Sequence, residues 1–176
     1  MHHHDPRPDY PYPLVVFGGS GSHVLAEHIS SFLDLKLGAA DTTPHPNGES
    51  MIRIKENVRN RDVFVVQSVC RKWLPNNGST GINDNLVELL VWGNVLSLAS
   101  AYRITAVIPH FGYARQDRKA ASRTPISARL VCDMIQNAGF DRVITMDLHS
   151  DQIQGFFNSK SCVLDHLNAG PLFVKH

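Results

Sequence analysis

Two clusters of residues carry the types that hold charged ligands. The first is the basic run Arg115, Gln116, Asp117, Arg118 and Lys119, which follows the apolar stretch 106–110 (AVIPH). The second is Asp147-Leu148-His149, which follows 142–146 (RVITM). Guanidinium groups grip phosphate oxygens in bidentate fashion, so the first cluster suits a phosphorylated ligand. In an extended chain alternate side chains share a side, which puts Asp147 with His149 and turns Leu148 inward. A carboxylate beside an imidazole can hold a divalent metal or form a structural hydrogen bond. With phosphates nearby an oxygen-rich site favours Mg²⁺, which keeps waters and bridges phosphate oxygens. A solvated charged loop is the plain alternative for the basic run taken alone. Ligands of open α/β sheets sit beyond the carboxyl ends of the strands, so two such ends side by side would make one site.

The elements needed to position these clusters are legible in order. Residues 14–17 (LVVF) form a short apolar run before Gly18-Gly19-Ser20-Gly21-Ser22, and Leu25, Ile29, Phe32 and Leu33 then fall on one helical face. The glycines match neither the dinucleotide fingerprint nor the Walker pattern. A tight strand-to-helix turn explains them better than an anion nest. Residues 42–49 are a loop broken by two prolines and a glycine, and 50–54 alternate as a half-exposed strand does. Residues 62–67 (DVFVVQ) read as a buried strand, and 69–81 read as a long loop. Residues 82–99 predict a long helix with Leu86, Leu89, Leu90, Gly93, Leu96 and Leu98 on its apolar side, capped by Asn83 or Asp84. After the basic loop, Thr124-Pro125 opens another helix, which ends at Gly139. Gly155 ahead of Phe156 and Phe157 suggests a turn packing those rings beneath the site. Strands alternating with helices predict a parallel sheet.

Composition narrows the possible roles. The 176 residues have room for one α/β domain, or for one domain and part of a second. A formal net charge of +1 makes no electrostatic case for nucleic acid or an anionic membrane. No apolar run approaches the ~20 residues of a membrane span. Three widely spaced cysteines, Cys70, Cys132 and Cys162, form neither a disulfide framework nor a zinc motif, which fits a cytoplasmic protein. Residues 1–13 (MHHHDPRPDYPYP) are a tag-like or disordered leader, set aside from the fold.

The blocks PHFGYARQDRK (109–119), SRTPISARL (122–130) and TMDLHSDQIQGFF (145–157) resemble the ribose-phosphate diphosphokinase (phosphoribosyl pyrophosphate synthetase) family. So do INDNLVELL (82–90) and PNGE (46–49), and the resemblance runs in order along 14–171. It implies a three-layer α/β phosphoribosyltransferase-like domain over 14–165, with 166–176 starting a second one. It implies transfer of the β,γ-diphosphoryl group of Mg·ATP to ribose 5-phosphate, and homo-oligomers from dimer to hexamer. By this resemblance Asn47, Gly48 and Glu49 contact adenine from a neighbouring subunit. Arg115 and Gln116 lie along the nucleotide with Asp117 in support. Asp147, His149 and Asp165 answer to the Mg²⁺ site, and Arg59, Ser122 and Arg123 to a regulatory phosphate/ADP site. The family's second half, with its catalytic lysine and ribose-phosphate loop, has no counterpart in these residues, so the polypeptide alone is expected to be inactive.

Departures from the family pattern are His45-Pro46 in place of Phe-Ser, the length of 69–81, and Ser159-Lys160-Ser161 in place of Pro-Val-Asp. Asn158 also stands where an aspartate is usual. They keep open a second expectation, a non-catalytic regulatory or associated subunit.

Overall fold

The computed structural model describes residues 11–73 and 79–175. Five strands form the central sheet: β1 (Leu14–Gly18), β4 (Asp62–Val66), β7 (Arg103–Ile108), β8 (Arg142–Met146) and β9 (Val163–Leu167). They lie in chain order and every neighbouring pair is parallel. Parallel strands are covered on both faces, so their sequences are continuous β-branched runs such as DVFVV. Between them come α1 (His23–Phe32), α2 (Ile82–Leu98) and α3 (Ser127–Asn137), with a 3-10 turn at Asp151–Phe156 and a terminal α4 (Gly170–Val174). Two small ribbons complete the chain: β2 (Ala40–Asp41) with β3 (Arg53–Ile54), and β5 (Lys72–Trp73) with β6 (Ser79–Thr80).

Strand alternation divides the core into the expected three layers. Val15, Phe17, Val63, Val65, Ala106, Ile108 and Val143 face α2 and α3, where they meet Leu89, Trp92, Leu96, Val131 and Ile135. Val16 and Val66 point the other way, onto Ala26 of α1. Burial pushes the Cys132 and Cys162 thiols up to about 12, which leaves both as inert core groups at neutral pH.

Several expectations need correcting. The central strand starts at Arg103 and stops before Pro109, because 103–105 pair with 62–64 and proline has no N–H to continue the ladder. Of the half-exposed strand expected at 50–54, only Arg53 and Ile54 find a partner. The cap of α2 is Gly81, whose N–H donates to the Asp84 carboxylate at 2.6 Å. α3 begins at Ser127, two residues past Pro125. The predicted face of α1 holds only in part: Ile29 packs onto the Val16–Ala26–Val66 cluster, but Leu25, Phe32 and Leu33 are exposed, while Ala26 and Ser30 are buried. The long loop holds the β5–β6 ribbon, and its central residues 74–78 lie outside the described residues.

Most of the leader, 1–10, lies outside the described residues as well. Its last part joins the fold: Tyr12 stacks on Tyr102, and the Pro13 carbonyl accepts the Asp62 N–H at 3.1 Å. A domain boundary at Asp165 would fall inside β9, which runs on to Leu167 and pairs along its length with β8.

Candidate functional site

Because β7 and β8 are parallel neighbours, the chain leaves both in the same direction and the two polar clusters meet. They border a cavity of about 450 Å³ lined by His110, Tyr113, Arg115, Asp147 and His149 among others. Its floor is apolar. Phe111 lines it and packs edge-on against Phe157, ring centroids 6.3 Å apart, as expected for aromatics beneath a site. Each loop holds a non-glycine residue in the left-handed region, Tyr113 (φ 65°) and Asp147 (φ 49°). Such a conformation costs about 1–2 kcal/mol and persists only where surrounding contacts over-determine it.

Those contacts are present. The Tyr113 hydroxyl donates to Asn83 Oδ1 at the start of α2. The Asp147 N–H donates to the Leu167 carbonyl at 3.0 Å, and its Oδ1 accepts the Ala169 N–H at 3.3 Å. The next amide, Leu148 N–H, donates to His166 Nε2 at 2.9 Å. Ser150 Oγ donates to Asp117 Oδ2 at 2.6 Å and joins the two loops directly. That hydrogen bond holds the Asp117 carboxyl below its usual range, with nearby His149 and Arg118 helping. Gln116 is also engaged, since its Oε1 accepts from Ser127 Oγ and its carbonyl accepts the Ala128 N–H at 3.1 Å. Of the basic run, Arg115 alone contributes to the cavity lining, and its side of the loop is exposed.

Arg115, Asp147 and His149 are therefore brought together, with Gln116 and Asp117 bracing the loop behind Arg115. Asp165 does not join them. It sits inside β9 opposite Ile144, with its Oδ2 2.7 Å from Arg142 Nε, because strand register sends it to a sheet face rather than a strand end. Among the described residues no three His, Cys, Asp or Glu side chains cluster as a metal site. Asn47, Gly48 and Glu49 form an exposed loop tip closed by the Glu49 N–H on Asn47 Oδ1 at 3.2 Å, and they do not line the cavity. Arg59, Ser122 and Arg123 are exposed, Arg123 with φ 62°. Asn158 turns its Oδ1 onto the Lys160 N–H at 3.1 Å, so it serves its own turn.

The donor set nevertheless suits Mg²⁺ held largely by water and ligand oxygens. Asp147 spends one carboxylate oxygen on a backbone amide and keeps the other, and His149 stands exposed two residues on. The glycine turn behaves differently. The Ser20 N–H donates to Glu88 Oε1 at 2.8 Å and the Gly21 N–H to Gln67 Oε1 at 3.0 Å. A Cβ on Gly19 would come within 2.4 Å of Gln67 Oε1. The amides an anion would need are already used, which makes the segment a packing turn.

Sequence reasoning missed the polar core beneath this turn. Glu88, Gln67 and Asn85 are all buried, and Gln67 Nε2 donates to both Asn85 Oδ1 and Glu88 Oε2. Their only trace in the sequence is polar residues on the inward stripe of α2 beside Leu89 and Trp92. It also missed His166, which carries no signal at all.

A parallel five-stranded sheet covered by helices, with polar loops at two neighbouring strand ends, defines an α/β domain of the phosphoribosyltransferase-like kind. Residues 14–139 match the model of the N-terminal domain of ribose phosphate pyrophosphokinase, and the chain belongs to that family. It is 48% identical over 163 residues to ribose-phosphate pyrophosphokinase A of Dictyostelium discoideum, covering 93% of this chain and 48% of that protein. It is 50% identical over 162 residues to the ribose-phosphate pyrophosphokinase of Mesorhizobium japonicum, covering 92% and 48%. The crystal structure of phosphoribosylpyrophosphate synthetase from Mycobacterium smegmatis superposes with a TM-score of 0.81 at 40% identity, covering 93% of this chain and 51% of that one. The chain thus spans about half the length of the relatives it matches.

Proposed function

We propose that the protein is the N-terminal half of a ribose-phosphate pyrophosphokinase and supplies its Mg·ATP side. In that reaction the 1-hydroxyl oxygen of ribose 5-phosphate attacks the β-phosphorus of ATP. The bond to the bridging α,β oxygen breaks, AMP leaves, and the hydroxyl proton is lost to solvent or a base. Such transfers depend on positioning and charge neutralisation rather than on a protein nucleophile. Arg115 binds the nucleotide phosphates, and Gln116 and Asp117 hold its loop in place. Asp147 and His149 hold Mg²⁺, which neutralises phosphate charge when bound. Asp165 contributes only if Arg142 releases it.

The observation that carries this reading is the convergence of Arg115, Asp147 and His149 on one cavity. Asn47, Gly48 and Glu49 lie on an exposed loop outside it, which supports their reaching the adenine of a neighbouring copy in a homo-oligomer. Exposed Arg59, Ser122 and Arg123 form the regulatory phosphate/ADP site between such copies. The protein acts in the cytoplasm in nucleotide biosynthesis. Among the described residues no helix is long and apolar enough to cross a membrane. One observation favours a second reading, a non-catalytic associated subunit: Asn158 replaces a carboxylate and spends its oxygen on its own turn.

ATP titrations with and without Mg²⁺ test the proposal. The natural chain should bind ATP more tightly with Mg²⁺, and His149→Ala should remove that gain while leaving Mg²⁺-free binding alone. Equal binding with and without Mg²⁺ in the natural chain would contradict the metal assignment.

A further inference from the structure

His166 belongs to β9, two strands from β7, which leads into the basic loop, and next to β8, which leads into the turn that carries Asp147 and His149. Its side chain is 18% exposed and makes two contacts of different kinds. Nε2 accepts the Leu148 N–H at 2.9 Å, and Nδ1 lies 3.1 Å from Asp151 Oδ1. An imidazole nitrogen that accepts from an amide carries no proton, so the ring hydrogen sits on Nδ1 and is donated to Asp151. Both nitrogens are thereby committed and the ring plane is fixed. The Asp151 carboxylate is largely exposed, so the amide contact is the stronger constraint.

That amide belongs to the peptide joining Asp147 to Leu148, and Asp147 is the residue held in the left-handed region. The other restraints on Asp147 come from the same segment, the Leu167 carbonyl and the Ala169 N–H, one and three residues after His166. Removing the Nε2 acceptor would leave the half-buried Leu148 N–H without a partner. It would also remove one of the three hydrogen bonds that restrain the strained residue and its peptide, and the turn would relax toward an ordinary backbone conformation. Asp147 and His149 would then no longer face the cavity together.

We infer that His166 is a positioning residue: its Nε2, fixed as an acceptor by Asp151, sets the Asp147–His149 turn in the geometry that holds a divalent cation. This rests on the proposed Mg²⁺ role of that turn. Partners that orient metal ligands in this way typically change affinity by roughly 10–100-fold when removed.

The test uses Mn²⁺ as a paramagnetic probe on the full 176-residue chain. Amide NMR and Mn²⁺ titration are compared for the natural chain, His166→Phe and His166→Gln, whose amide oxygen can take the place of Nε2. His166→Phe should shift the Asp147, Leu148 and His149 amides and speed exchange at Leu148. It should also weaken Mn²⁺ binding about tenfold or more. His166→Gln should restore both readouts to within about threefold of the natural chain, which a ring that merely fills space would not allow. Unchanged Mn²⁺ affinity in His166→Phe, with binding intact in the natural chain, overturns the positioning role. Equal losses in the Phe and Gln variants overturn it too. Failure of the natural chain to bind Mn²⁺ near Asp147 overturns instead the metal reading on which the inference stands.

Discussion

Asp117 shows how the site is assembled from individual contacts. The Ser150 hydroxyl is the main cause of its lowered pKa, ahead of the nearby charges of His149 and Arg118. A carboxyl depressed in the folded state contributes stability above its unfolded pKa and loses it as pH falls through the folded value. The Ser150–Asp117 link should therefore be intact at neutral pH and released only in acid, below the ordinary aspartate range. Ser150→Ala should bring the Asp117 titration back up toward the ordinary value, read from its carboxyl carbon shift. An unmoved titration would mean that the link does not form in solution. At this scale the meeting of Arg115, Asp147 and His149 at one cavity was legible, since both clusters follow neighbouring parallel strands. Asp165 lies apart from them because its position depends on the register of β9, which no local pattern encodes. His166 and Asn83 act through side-chain contacts with residues distant in sequence, and such contacts leave no periodic trace.

The elements show where periodicity suffices and where it does not. α2 reads correctly in its extent and in the inward Leu86, Leu89, Gly93 and Leu96, although Leu98 is exposed, and its one glycine there has a packing reason. A Cβ on Gly93 would lie 2.7 Å from the Phe140 ring and 2.8 Å from the Ala138 carbonyl. Phe140 is 2% exposed and cannot move aside, so Gly93→Ala should destabilise the fold by about 1–3 kcal/mol despite alanine's better helix propensity. Urea unfolding measures this, and a stability equal to or above the natural chain's would show that α2 and the β8 approach do not pack as described. On α1 only Ile29 of the expected apolar face packs inward. The small residues Ala26 and Ser30 face the sheet, because Gly18 draws the helix so close that a Cβ there would meet Ala26 at 2.9 Å. Close approach selects small side chains and sends the large ones outward, which hydrophobic pattern alone cannot anticipate. Strands 62–66 and 142–146 were legible because buried parallel strands are continuous apolar runs.

At the scale of the molecule several large apolar side chains stay exposed. α2 buries one face and exposes Val87 and Leu98 (77%) on the other, Phe32 is 91% exposed on α1, which also exposes Val24 and Leu25, and Phe173 is 77% exposed on α4. Apolar patches of this kind mark contact surfaces. The chain should therefore self-associate at tens of micromolar, and Phe32→Glu should shift sedimentation toward the monomer. A purely monomeric natural chain would contradict this. The central claim, that the β7–β8 cavity binds nucleotide phosphates through a specific arginine, has a more direct test in two residues of one loop. Arg115 lines the cavity and Arg118 does not. A shielded arginine–phosphate contact contributes about 1.5–3 kcal/mol, while a solvated charge contributes little and is screened by salt. With half the relatives' length present, ATP binding should be weak, on the order of 1 mM, near −4 kcal/mol. In an ATP titration with Mg²⁺ followed by NMR, Arg115→Ala should lose most of the binding and Arg118→Ala should keep it. Indistinguishable losses in the two variants, both abolished by salt, would mean that the basic run is a solvated loop and the cavity is not the nucleotide site.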